Sequence, residues 1–231
     1  MRNRIADLVT IAVIIVVGVW IVAALMPGGL PSLWRSQIDD VPPSTVRVEL
    51  EKLSVRSSND APSYQRHRFG QPWADEDANG CDTRNDVLGR DLQAVRYGKK
   101  YPPQCVVESG VLVDPYTSRT IDFVRGPETS PVVQIDHVVA LYDAWRSGAW
   151  EWDDEKRRAF ANDQNNLLAV DGKVNKDKGH AAADQWLPPN EDYHCAYVAR
   201  QVRIKAAWGL TVTRSERQAM IDVLAECPVM N

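Results

Sequence analysis

The chain has 231 residues, 44% of them hydrophobic and 25% charged, with a formal net charge of −4. Those proportions suit one folded domain with attachments and exclude a disordered or low-complexity chain. The acidic balance also excludes a protein that holds nucleic acid through bulk charge, so any such contact needs a local basic groove.

Arg2 and Arg4 precede an almost unbroken apolar run from Leu8 to Met26, which Pro27-Gly28-Gly29 ends. Its length approaches the roughly 20 residues that cross a bilayer as a helix. The arginines keep residues 1–7 cytoplasmic and place everything after Pro27 outside. An uncleaved anchor at 8–26 is the expectation, with a signal cleaved near Val22-Ala23-Ala24 as the alternative. Residues 27–62 are rich in Pro, Ser and Asp and read as a stalk, with one β-like patch from Thr45 to Leu50 as a strand docking on the domain. The four cysteines, Cys81, Cys105, Cys195 and Cys227, all fall on the exported side. With no CxxC pair a zinc ribbon is disfavoured, and two disulfides are expected in any of three connectivities.

The remaining residues, 63–231, read as one α+β domain. Asp82 or Thr83 caps a short helix that turns Val87, Leu88 and Leu92 inward. Gln104 to Val107 and Val111 to Val113, joined by Glu108-Ser109-Gly110, read as a hairpin, and Thr120 to Val124 as a further strand. A β-rich run opens at Val132 and ends in Asp136-His137, after which Val138, Leu141, Tyr142 and Trp145 fall at helical spacing. Asp153 caps a helix running through Phe160. A short strand follows from Asn166 to Val170, then a turn at Asp171-Gly172 and a helix carrying Asn175 and Lys178. Beyond the rigid Trp186-Leu187-Pro188-Pro189 turn lie two helices, about Tyr193 to Trp208 and Ser215 to Cys227.

The chemistry concentrates between residues 132 and 180. Phosphodiester hydrolysis needs a base for a water, a cation on the phosphate oxygens, and in-line placement of the two. A neutral imidazole suits the first, so His137 is the candidate general base. Asp136 and Asn175 supply two oxygen donors for one divalent ion, most suitably Mg²⁺ with Mn²⁺ as the alternative, water and phosphate filling the other positions. Side chains alternate along a strand, so Asp136 and His137 divide these tasks only at a strand end. Lys178, one turn from Asn175, is a candidate phosphate contact. Arg84, at the start of the capped helix, is a second. His180 reads as a surface imidazole, and His67 and His194 as structural.

Asp136-His137 at a strand end, then Asn165-Asn166-Leu167-Leu168, then Asn175-Lys176-Asp177-Lys178-Gly179, resembles the ββα-metal fold of HNH nucleases. More narrowly, the stretch from about Arg68 to Cys227 is similar to the HNH family that forms the C-terminal domain of GmrSD-type restriction endonucleases and small exported actinobacterial proteins. The resemblance implies a ββα-metal core at about 132–180 inside a mostly helical domain. It implies endonuclease activity on DNA, or RNA, outside the cytoplasm. It gives Asn166 the role of bracing the loop that orients the histidine, and it agrees with a preferred local pairing of Cys81 with Cys105 and Cys195 with Cys227. His180 departs from the family pattern, which has Asp there. The rival reading is an inactive, disulfide-stapled module that binds DNA or an envelope partner.

Overall fold

The computed structural model describes residues 36–58, 60–98 and 105–229. The expected anchor at 8–26, residues 27–35 of the expected stalk and Gln104 lie outside the described residues. Among the described residues no helix is long and apolar enough to cross a membrane.

The chain from Gln37 onward forms one compact unit of mixed α and β structure. Helix α1, Thr45–Lys52, begins it, with the Ser44 side chain accepting from the Arg47 amide as its cap. This corrects the β-like reading of Thr45 to Leu50. Val46, Val48 and Leu50 alternate as a strand would, but Val46 and Leu50 also sit at helical spacing. Those two are buried while Val48 is left exposed. Because α1 packs on the long helix near the C-terminus, this part of the expected stalk belongs to the core. Helix α2, Thr83–Asp91, starts at the Asp82 cap and buries Val87 and Leu88.

A three-stranded antiparallel sheet follows, β1 (Gln93–Tyr97), β2 (Val107–Val113) and β3 (Thr120–Val124), with β2 in the middle. The hairpin expected around Glu108-Ser109-Gly110 is corrected here, since those residues run straight through β2. Gly110 is used for closeness rather than for turning: a Cβ there would lie 3.0 Å from the Cβ of Leu92.

Strand β4, Val133–His137, pairs antiparallel with β5, Leu167–Asp171, in the register Ile135↔Ala169, Asp136↔Leu168 and His137↔Leu167. Between them lie α3 (Leu141–Arg146) and α4 (Asp154–Ala161), the second capped by Asp153. Helix α5, Gly172–Lys178, follows β5 directly, its first turn capped by Asp171 through the Lys173 and Val174 amides. Gly172 allows this abrupt change, because a Cβ there would fall 2.1 Å from the Pro131 carbonyl oxygen. The chain ends in α6 (His194–Trp208) and α7 (Arg214–Ala225). The second carries a reciprocal capping box between Thr213 and Glu216.

The β4–β5 ribbon lies between two apolar cores. Leu168 and Val170 face the larger one, built from the helices, whereas Val133, Ile135, Leu167 and Ala169 face the smaller one with α2 and the three-stranded sheet. Disulfides join Cys81 to Cys105 and Cys195 to Cys227. At the end of α6 a fully buried Lys205 bridges Asp143, at 2.7 Å, and Glu216. Burial alone would lower the Lys205 pKa, but the two carboxylates hold it above the usual lysine range.

Candidate functional site

Strand alternation places Asp136 and His137 on opposite faces of the β4–β5 ribbon, and each belongs to a separate network. His137 shares its face with Ile135 and is partly buried. Its Nε2 lies 2.8 Å from the carbonyl oxygen of Ala161, at the last turn of α4. A carbonyl only accepts, so Nε2 carries the proton and Nδ1 keeps a free lone pair. The Trp73 indole lies nearly parallel to the imidazole, 15° between planes and 6.1 Å between centroids. Trp73 holds this place with a positive φ of 59°, a costly backbone state for a bulky residue. Burial pushes the His137 pKa down to about 4, and the nearby charges of Arg66 and Lys178 act the same way against Asp136 and the Ala161 carbonyl. The ring is therefore neutral at ordinary pH.

Asn166 is fully buried in the turn before β5. Its side chain grips Val139 from both sides, Oδ1 accepting from the Val139 amide at 2.8 Å and Nδ2 donating to the Val139 carbonyl at 3.1 Å. Its own carbonyl accepts from the Val138 amide at 2.8 Å. These three bonds set the path of the backbone leaving His137.

On the other face Asp136 is 5% exposed and both its oxygens are occupied. Lys178 Nζ lies 2.9 Å from Oδ1, and the Tyr116 hydroxyl donates to Oδ2 at 2.6 Å. Burial, and then the Asp136 charge, raise the Tyr116 pKa well above the ordinary tyrosine value, so the hydroxyl stays a donor. Lys178 also donates to the His137 carbonyl at 2.9 Å and has no exposed side-chain surface. The expected contact of Lys178 with phosphate is thereby corrected: its charge is turned inward and neutralises Asp136. Asn175, on the same helix, donates from Nδ2 to Gln134 Oε1 at 2.9 Å.

The donor set tests the metal expectation. A divalent ion needs anionic oxygen, and Asp136 is the one carboxylate among the four expected core residues, Asp136, His137, Asn166 and Asn175. With Lys178 on it the pair is already neutral and closed off. Adding a doubly charged ion to a balanced, buried pair is electrostatically unfavourable. As arranged, Asp136 and Asn175 do not fit a divalent ion. Among the described residues no group of three or more His, Cys, Asp or Glu side chains is placed to hold one either.

Arg84 donates from Nη2 to the Val133 carbonyl at 3.1 Å, at the opposite end of β4 from His137. Burial, and then the charge of Arg125, lower its pKa. His180 is exposed with its ring 4.4 Å from that of Tyr142. His67 is exposed, and His194 Nε2 lies 2.8 Å from the Pro188 carbonyl. The structure thus brings Asp136 together with Lys178, and His137 with Asn166 through backbone. Arg84 stands apart from both. Trp73 and Ala161 were not among the expected site residues. Trp73 lay in the stretch where the family-like sequence begins, which was the available signal, whereas a backbone carbonyl leaves no signal in sequence.

A family described as "GmrSD restriction endonucleases, C-terminal domain" matches residues 82–223. An "Uncharacterized secreted protein" from the fungus Arthroderma benhamiae (strain ATCC MYA-4681 / CBS 112371) is 34% identical over 186 residues, covering 80% of this chain and 85% of that protein. No solved structure matches.

Proposed function

Because the chain belongs to the family of C-terminal domains of GmrSD restriction endonucleases, a restriction-type nuclease family, we propose that it is an HNH-type endonuclease that hydrolyses phosphodiester bonds in nucleic acid. The substrate is DNA before RNA, and His137 is the general base. The observation that carries this is the 2.8 Å approach of His137 Nε2 to the Ala161 carbonyl: an acceptor there assigns the proton to Nε2, so Nδ1 is the atom left to take a proton from water. The low pKa keeps that atom unprotonated across the neutral range. Asn166 holds the backbone that aims the ring. Arg84 is the residue proposed to meet phosphate away from the reacting bond.

The family resemblance implies a Mg²⁺ or Mn²⁺ ion at Asp136 and Asn175. The pairing of Asp136 with Lys178 argues against that site as arranged, and no step is assigned to a metal. Action outside the cytoplasm, anchored or secreted, is supported by two disulfides, which persist in oxidising compartments, and by the relative's description as secreted.

A second reading, an inactive module that binds DNA or an envelope partner, is favoured by the closed Asp136–Lys178 pair. Plasmid nicking separates the two. Wild type and His137→Ala are compared in EDTA, Mg²⁺ and Mn²⁺. A fall of about 10²–10⁴-fold in His137→Ala is expected under whichever condition wild type cuts. Equal rates for the two proteins, or no cutting by wild type in any condition, would overturn the nuclease reading.

A further inference from the structure

Asn166 can steer His137 only if its own turn stays put, and the turn is short, polar and close to the surface. Asn166 is fully buried, while Asn165 beside it is exposed. Two arginines from distant parts of the chain take the carbonyls of Gln164, Asn165 and Leu167 on either side of Asn166. Arg90, in the last turn of α2, donates from Nη1 to the Gln164 carbonyl and from Nη2 to the Leu167 carbonyl, both at 2.7 Å. Arg200, in the middle of α6, donates from Nε to the Asn165 carbonyl at 2.6 Å. Its Nη2 donates to the Leu167 and Gln164 carbonyls at 2.8 and 3.3 Å. The Arg90 guanidinium is fixed in turn by Asp91, at 2.6 and 2.9 Å, and Asp91 accepts from the Ala169 amide of β5.

We infer that Arg90 and Arg200 are positioning residues for His137: their two guanidinium forks lock the Gln164–Leu167 turn, and through Asn166, whose side chain holds Val139 and whose carbonyl holds the Val138 amide, they fix the backbone that aims the imidazole. Water would satisfy the same carbonyls, so hydrogen bonding alone does not account for two buttressing arginines. A planar fork anchored on a helix fixes the directions of its bonds to two carbonyls, whereas a lysine ammonium, with three freely rotating donors, meets the same carbonyls without fixing their orientation. The hydrogen bonds from the guanidiniums to the turn, and from Asn166 to Val139, measure 2.6–3.3 Å, and the chain itself makes the remaining links.

This inference rests on the nuclease reading for its kinetic consequence, but not for its structural one. The test uses the folded protein with both disulfides, in Arg90→Gln, Arg200→Gln and the charge-keeping Arg200→Lys. Amide hydrogen exchange is read at Val138 and Val139, with Leu112 and Phe123 in the three-stranded sheet as the reference. Expected is exchange about tenfold faster at Val138 and Val139 in the Gln variants, with the reference amides unchanged. In nicking, kcat falls about tenfold with KM unchanged, since the imidazole is misaimed but substrate contact is not lost. Arg200→Lys, which keeps the charge but loses the fork, behaves like Arg200→Gln on both measures. Wild-type protection of Val138 and Val139 in both Gln variants overturns the inference, as does full rescue by Arg200→Lys or an unchanged kcat. If wild type does not cut at all, the nuclease reading fails and the exchange arm still decides whether the clamp exists. Should a Gln variant fail to fold, Arg200→Lys carries the same comparison.

Discussion

Replacing Lys178 with Met asks what the buried cation on Asp136 does. The Lys178 ammonium lies 2.9 Å from Asp136 Oδ1, with 0% and 5% side-chain exposure for the two partners. At that distance the attraction is about 6 kcal/mol for an effective dielectric of about 20, before the cost of burying both charges is subtracted. Removing one partner leaves the other charge buried and bare, for which the measured penalty is about 3–5 kcal/mol. Lys178→Met should therefore lose about 3–5 kcal/mol in EDTA, read by urea unfolding through tryptophan fluorescence. The same variant frees the Asp136 carboxylate, so Mn²⁺ should restore part of the loss, about 2.7 kcal/mol at a hundred times its dissociation constant. Wild type should show no such response. Adding Asp136→Asn to Lys178→Met should abolish the Mn²⁺ effect and recover much of the stability, because the buried charge is gone. The reasoning is refuted if Lys178→Met is as stable as wild type in EDTA. It is equally refuted if Mn²⁺ stabilises wild type as much as the variant.

Further outcomes follow from the other network. The folded pKa of His137, about 4, lies below that of a free imidazole, so the unfolded chain takes up the proton first. Its contribution is present in full above about pH 6.5 and is lost as pH falls toward 4, up to about 3 kcal/mol, and His137→Gln should flatten that slope in urea titrations between pH 7 and 4.5. The acid limb of nicking should fall near pH 4 on the same grounds. Asn166→Ala removes two side-chain bonds and leaves buried Val139 groups unpaired, an expected loss of about 2–4 kcal/mol, whereas a change under about 0.5 kcal/mol would show that the grip is slack. Replacing Cys195 and Cys227 by Ser opens a link spanning 32 residues, with an expected loss of about 3–4 kcal/mol and no change in kcat.

What was legible in the sequence was local. Asp82 and Asp153 each act within one helical turn, and each caps the helix that its position foretold. Asp171, which reads only as part of a turn, caps the helix after it as well. The segment Thr45 to Leu50 reads as a strand because Val46, Val48 and Leu50 alternate, yet Val46 and Leu50 also sit about one helical turn apart, and contact with α6 decides between the two. Glu108-Ser109-Gly110 looked like a turn because Gly usually marks one, yet here it makes room for Leu92. Around the candidate site the motif residues could be named, but not their partners. Lys178 meets Asp136 from 42 residues away, Tyr116 from 20, and Arg90 reaches Leu167 across 77. A lysine one turn along a helix from Asn175 reads equally well as a phosphate contact, and the depth of burial that reverses the reading has no local signature.

Asp136 and His137 are adjacent in sequence with side chains on opposite faces of the strand, so the side-chain partners of each can be weighed in turn. The Asp136 face is accounted for by stability alone: a buried acid, a buried base and a tyrosine hydroxyl close their own charges, as a binding module or a nuclease could equally require. The His137 face is different. Burying an imidazole costs enough to drive its pKa to about 4, and one nitrogen is bonded while the other is left open. Trp73 is held over the ring in a costly backbone state, and a fully buried Asn166 fixes the chain beside it. A phenylalanine in place of His137 would fill the same space without the cost of desolvation, and would leave the Ala161 carbonyl to α4's own turn or to water. An oriented and neutral base is a poor way to stabilise a fold and a good way to take a proton, which is why the hydrolase reading rests on this face and survives the closure of the other.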